Sequence, residues 1–292
     1  VRSLGIDVGG ALHKQLDVVV MDADRQIAVV GSRVGVQRLR RLIEDHRPDV
    51  VCIDSPPAWA PVGTRSRLAE RELRLLGIQS YATPARDVGE THDFYGWMRN
   101  GIAAFRAAAR AGFPIYRAGR IAGSAIEVFP HATATVLAGC LAPTRQAPAA
   151  KRAWRAAILR AAHVPIAQLR TLDQVDAALC ALTGIVALKL GDPFAPGAPD
   201  EGRIVLPARV VPAAGYRRCV STISPGRATA ISPGRAPSTE PLITFCACGC
   251  GAQTRTGREF RSGHDRRLMV QLQRAVGDGE RARAELERRG WV

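Results

Sequence analysis

The sequence predicts an α/β fold: a mixed sheet flanked by helices, followed by a small Cys/His tail. Three observations predict it. The chain opens with three strand-like runs joined by tight turns, then a helix, then a short and wholly apolar strand. Its middle is dominated by helical periodicity. Beyond residue 207 the composition turns to Pro, Gly, Ser and Arg, with a cysteine cluster further on. With 292 residues and 47% hydrophobic content, a sizeable core can be buried.

Ser3–Val8 reads as the first strand and ends in Gly9-Gly10. Leu16–Met21 and Gln26–Val30 follow, separated by the turn-rich Asp22-Ala23-Asp24-Arg25. Val36, Leu39, Leu42 and Ile43 recur at helical spacing until His46-Arg47-Pro48. Asp49–Asp54 is a short apolar run of the kind a buried parallel strand gives. Arg67–Leu76 and Ile102–Ala111 read as helices stopped by Gly77 and Gly112. Ala125–Phe129 reads as a strand ended by Pro130. Ala149–Ala162 is an amphipathic helix. Thr171-Leu172-Asp173-Gln174 is a capping box that opens a helix to about Leu190, with Leu172, Val175, Leu179, Leu182 and Val186 as its apolar stripe. Arg203–Leu206 reads as the last strand.

Residues 191–241 hold nine of the 19 prolines, and ISPGRA occurs twice, at 223–228 and 231–236. The expected organisation is therefore a domain over 1–207, a linker over 208–240 and a basic tail over 241–292. No run approaches the ~20 apolar residues of a membrane span. The N-terminus shows no apolar signal region, so the expectation is a cytoplasmic protein without membrane contact.

Lys+Arg number 41 against 26 Asp+Glu, a net charge of +15, and all but Lys14, Lys151 and Lys189 are arginine. Mutational bias toward Arg accounts for part of that content but not for the net sign. The tail is the more basic part: 208–292 carries 15 cations and 7 anions, against 26 and 19 in 1–207. A polyanion such as nucleic acid is the expected partner. Arg65 and Arg71, with Arg67 and Arg74, fall after the fourth strand. Lys151 and Arg152 begin a helix near the middle of the domain. These cations could grip phosphate, or face solvent with Glu70 and Glu72 pairing to the helix arginines. Trp59 and Trp97 could stack on bases or pack in the core. His131 could cap the helix that follows Pro130. Cys52, Cys140, Cys180 and Cys219 are scattered among apolar runs and read as free thiols.

Four acidic residues stand where solvated charge does not belong. Asp7 and Asp54 end apolar strands, Glu127 lies among Ile126, Val128 and Phe129, and Asp176 lies in the apolar last helix. Each has a structural use as well: turn caps for the two strand-end aspartates, a solvent-facing edge for Glu127, the helix dipole for Asp176. If strands one and four are adjacent and parallel, Asp7 and Asp54 lie side by side, and a packed helix can bring Asp176 to them. Carboxylates ~5 Å apart repel by roughly 3 kcal/mol per pair at an effective dielectric of about 20. Protonation or a divalent cation must compensate, and oxygen-only ligands suit Mg²⁺ or Mn²⁺. Such ions support phosphodiester hydrolysis without a nucleophilic side chain.

The strand–strand–strand–helix–strand order is that of the ribonuclease H-like fold. The segments GIDVGG (5–10), VVCIDSPPAW (50–59), RSRLAERELRLLG (65–77), IEVFPHAT (126–133), KRAWRAAIL (151–159), DQVDAALCALTG (173–184) and DEGRIVLP (200–207) resemble, in order, the family of predicted ribonuclease H-like nucleases called domain of unknown function 429. The resemblance implies a metal-dependent nuclease-like site formed by Asp7, Asp54, Glu127 and Asp176. Two other readings stand beside it. One is a catalytically inactive nucleic-acid-binding module of the same fold. The other is a sugar-kinase or actin-like ATPase, whose first phosphate motif GIDVGG resembles. In the tail, Cys246-Ala-Cys248-Gly-Cys250-Gly followed by Gly263-His264-Asp265 resembles a bacterial and phage tail module. Three thiolates and His264 would make a Cys₃His zinc site, with Gly249 and Gly251 letting the chain fold back.

Overall fold

The computed structural model describes residues 1–9, 15–143 and 147–219. Strands β1 (Arg2–Val8), β2 (Gln15–Asp22) and β3 (Ile27–Gly35) form an antiparallel meander. Helix α1 (Val36–His46) then crosses to β4 (Val50–Asp54), which lies parallel to β1. After α2 (Leu68–Leu75), α3 (Arg86–Thr91), a single 3₁₀ turn and α4 (Gly96–Arg110) comes β5 (Ser124–Glu127), parallel to β4. The sheet order is β3-β2-β1-β4-β5. Helices α5 (Pro130–Ala138), α6 (Pro148–Ala161) and α7 (Leu172–Leu190) complete the domain. This is the ribonuclease H-like mixed sheet flanked by helices that the sequence predicts.

The alternation of the strands decides which layer each residue serves. Leu4 and Ile6 of β1, with Val51 and Ile53 of β4, pack with Leu39 and Ile43 of α1 and Ala104 and Phe105 of α4. The intervening residues face α7. A Cβ on Gly5 would stand 2.1 Å from the Ala177 carbonyl oxygen, and one on Gly184 would stand 2.2 Å from Ser3 Oγ. The two glycines therefore let α7 lie directly on β1. Thr171 and Gln174 make the anticipated capping box, and Gln174 Nε2 also donates to Ser32 Oγ at 2.7 Å, tying the start of α7 to β3. On the other side, α4 closes on β4 at Gly101, where a Cβ would meet Ser55 Oγ.

Several expectations are corrected. Arg203–Leu206 forms no strand; Ile204 makes an isolated parallel bridge to Glu127 and so covers the edge of β5. Past Pro207 the described chain stays on the domain: Tyr216 N–H donates to the Leu76 carbonyl, and Leu141 and Arg218 form a bridge. Cys140 and Cys219 are not free thiols but a disulfide that fixes this segment. Cys52 and Cys180 are buried free cysteines, as read. Trp59 is a core residue, its Nε1 donating to Glu90 Oε1 at 2.9 Å. The zinc set Cys246, Cys248, Cys250 and His264, and most of the expected linker, lie outside the described residues.

Candidate active site: a buried carboxylate pair beside a basic cleft

The register pairs Asp7 with Asp54 across the parallel β1–β4 ladder, one residue from the C-terminal end of β1 and at that of β4. Both side chains point to the α7 face, as Gly5 and Cys52 do two residues earlier. The two carboxyl groups interact directly. Burial, then the neighbouring Asp54 and Asp176 charges, hold Asp7 well above the ordinary carboxylate value. Burial and Asp176 push Asp54 up to about 8, and Arg155 and the Asp7 hydrogen bond oppose the rise. Burial and mutual repulsion thus both disfavour two free charges at this pair.

Asp176 reaches this end of the sheet because α7 is seated on Gly5. It does not complete a cage. Its Oδ2 accepts from Arg155 Nη1 of α6, both side chains being buried, while its Oδ1 and Arg155 Nε have no partner among the described residues. Asp173, one turn earlier on α7, and Asp17, opposite Asp7 on β2, add negative potential at Asp7. Asn100 Nδ2 of α4 donates to the Gly9 carbonyl at 3.3 Å and holds the exit of β1.

Glu127 also raises Asp54 through its charge, but its own side chain is held elsewhere. In register with Ile53 it lies on the opposite face of the sheet from Asp54. There it takes a two-pronged bond from Arg67, Nη1 to Oε2 at 2.7 Å and Nη2 to Oε1 at 2.6 Å. Arg67 is 1% exposed and also donates Nε to Glu70 Oε1 at 3.0 Å. Two carboxylates raise its guanidinium pKa further above its ordinary value, against burial. Arg67, read as a cation on a solvated or phosphate-gripping helix face, is instead the buried clamp between α2 and β5. A buried pair held by several bonds is a structural fixture whose loss strands a charge. Glu72, expected to pair with the helix arginines, accepts from Gly197 N–H at 2.7 Å.

The proposed nucleic-acid contacts divide similarly. Arg65 is exposed in the loop before α2. Arg71 Nη1 donates to the Ser66 carbonyl at 2.7 Å, and Arg152 Nη2 to the Leu169 carbonyl at 2.9 Å, so both brace the fold. Lys151 lines a cleft of about 320 Å³ together with Arg155, Arg218, His131, Trp154 and Gln79. His131 makes no cap; Phe129 occupies the cap position of α5. Sequence reasoning missed Arg155 and Arg218. The i,i+4 spacing of Lys151 and Arg155 signals a shared cationic face, whereas nothing local signals Arg218.

The family described as "Protein of unknown function (DUF429)" matches residues 5–201. The chain belongs to this family. Among solved structures it is similar to RuvC of Thermus thermophilus, at 16% identity and a TM-score of 0.37 over 65% of this chain and 97% of that one. It is also similar to T. thermophilus RuvC in complex with Holliday junction substrate, at 14% identity and a TM-score of 0.35, over 65% and 95% of the two chains. No curated protein matches the chain. Family membership leaves the chemistry to be argued from the site.

Among the described residues, no three His, Cys, Asp or Glu side chains come together closely enough to hold a metal ion. The donor chemistry at Asp7 and Asp54 nevertheless fits a hard divalent cation: oxygen-only, adjacent, and short of positive charge. The buried, unpartnered Asp176 Oδ1 is a third oxygen at the same end of the sheet.

Proposed function

We propose that the protein is a metal-dependent nuclease that hydrolyses phosphodiester bonds with Asp7 and Asp54 as its principal acidic residues. The observation that carries the reading is their pairing at the C-terminal ends of two parallel strands, where burial and mutual repulsion both disfavour two free charges. A fold does not pay for such a pair without a use, since two apolar residues in the same register would stabilise it more. Asp7 and Asp54 would hold Mg²⁺ or Mn²⁺, with Asp176 as the adjacent oxygen donor. When bound, such a cation activates water and stabilises the leaving oxygen. The chain's own residues supply the rest. Gly5 and Gly184 set the depth of α7, Asn100 fixes the strand exit, and Arg155 orients Asp176. Glu127 is assigned to the scaffold through Arg67.

One observation favours a second reading, a silent nucleic-acid-binding module of the same fold. Arg155 already neutralises Asp176, which leaves two carboxylates for a cation. The kinase or ATPase reading needs a second, duplicated domain, and the described residues form one five-stranded sheet. Incubation with labelled single-stranded, double-stranded and hybrid substrates, with Mg²⁺ or Mn²⁺ and with chelator, separates the two. The nuclease cleaves with metal and not with chelator, and Asp7→Asn abolishes cleavage while keeping the side chain's shape. Full activity in Asp7→Asn, or cleavage in chelator, refutes the assignment.

A further inference from the structure

The cleft beside the carboxylate pair has its own chemistry. Lys151 and Arg155 lie one turn apart on α6, and Arg218 reaches them from the segment that the Cys140–Cys219 disulfide pins against Leu141. No acidic residue lines the cleft. The one carboxylate within reach, Asp176, lies behind Arg155 and takes only its Nη1; Arg155 Nε is buried without a partner among the described residues. Neither Lys151 nor Arg218 has an ion pair among the described residues. Burial first, and then the neighbouring Arg155 and Lys151 charges, push His131 down to about 4. Trp154 presents an aromatic ring, 6.4 Å from that of His131. Gln79 adds an amide. The volume, about 320 Å³, is at the lower end of small-ligand sites.

Of these three cations Arg155 is paired with Asp176, whereas Lys151 and Arg218 form no ion pair among the described residues, so the cleft wall carries a net positive charge that an anion would complement. We infer that this cleft binds a phosphate group of a nucleic-acid strand, with Lys151, Arg155 and Arg218 as its ligands and Trp154 as a platform for the adjoining nucleotide. Arg155 then joins two functions, as the partner of Asp176 and as part of the cleft wall. The cleft is linked to the carboxylate end of the sheet through the Arg155–Asp176 pair. This inference rests on the nuclease reading for the identity of the strand, but not for the binding of phosphate.

The test is binding in chelator, where nothing is cleaved. A fluorescein-labelled single-stranded 10-mer is titrated with the full chain across a range of salt concentrations. Lys151→Ala/Arg218→Ala should weaken binding about tenfold. It should also flatten the dependence of log K on log salt by roughly 1.4, about 0.7 for each lost contact on a single strand. Arg110→Ala, which removes an exposed charge from α4 across the sheet, should leave the slope unchanged. Arg218→Gln provides a single-site version should the double variant fail to fold, with half the change in slope. An unchanged slope in these variants, or a loss matched by Arg110→Ala, overturns the cleft assignment. Displacement of the 10-mer by a nucleoside monophosphate as effective as displacement by unlabelled strand overturns the strand in favour of a free nucleotide. Failure of the nuclease reading looks different: the wild-type chain binds through the cleft yet cleaves nothing with Mg²⁺ or Mn²⁺.

Discussion

His131 shows how one side chain reports on the charge around it. Its imidazole is pushed from 6.5 to about 4, first by burial and then by Arg155 and Lys151. The folded state therefore resists a proton that the unfolded chain accepts. Between those two values the unfolded state holds more protons, so stability rises with pH and is lost as pH falls from about 6.5 to about 4. We expect the wild type to lose stability relative to His131→Asn across that window and to run parallel to it above pH 7, as read by urea midpoints. Equal slopes for the two proteins would show that folding does not lower the proton affinity of His131. Asp7, Asp54 and Asp176 were legible in the sequence because each interrupts an apolar pattern where charge is expensive. Glu127 interrupts one equally well, and its different role was illegible for a physical reason: its partner Arg67 is 60 residues away and hidden within a run of charged helix residues. Side-chain type announces a buried charge, but only tertiary contact says what neutralises it.

Helix α7 places Asp176, and two glycines set its depth. A methyl group at Gly5 would collide with the backbone of Ala177 and Ala181, which cannot swing aside as a side chain can. Gly5→Ala should therefore lift the helix and destabilise the fold by about 2 kcal/mol or more, in the range of overpacked cores. Cleavage should fall beyond what lost stability explains, because Asp176 moves while Asp7 and Asp54 stay paired. Denaturant unfolding and rates measured well below the midpoint separate the two effects; unaltered stability would mean that α7 is not seated as described. The helix itself was legible from its capping box and apolar stripe, and β1 to β4 from their alternation and turns. The short α3 and the 3₁₀ turn at Asp93–Tyr95 were not, since neither is long enough to show a period. Arg203–Leu206 looked like a strand because it is apolar, yet only Ile204 is bridged to the sheet. Its burial comes from covering an edge, which leaves the same hydrophobic trace as pairing along a full ladder.

The domain as a whole closes on itself through Cys140 and Cys219, which stand 79 residues apart. That pairing was invisible in the sequence, where the two cysteines share no motif, and it carries the fold past the Pro207 boundary that composition suggested. In the chain-entropy account a loop of this length stabilises by roughly 4.5 kcal/mol. Reductant should lower the unfolding temperature of the wild type by several degrees and leave a Cys140→Ala/Cys219→Ala variant unaffected. Equal melting with and without reductant would refute the bond. The covalent connectivity is that of a lariat. Asp7 and Asp54 belong to the free N-terminal arm, whereas Lys151, Arg155, Asp176 and Arg218 all belong to the ring. The disulfide that closes the ring also holds the segment bearing Arg218, while the β1–β4 ladder lies outside the ring. A single proteolytic nick inside the ring would leave its two pieces joined through the disulfide until thiol is added.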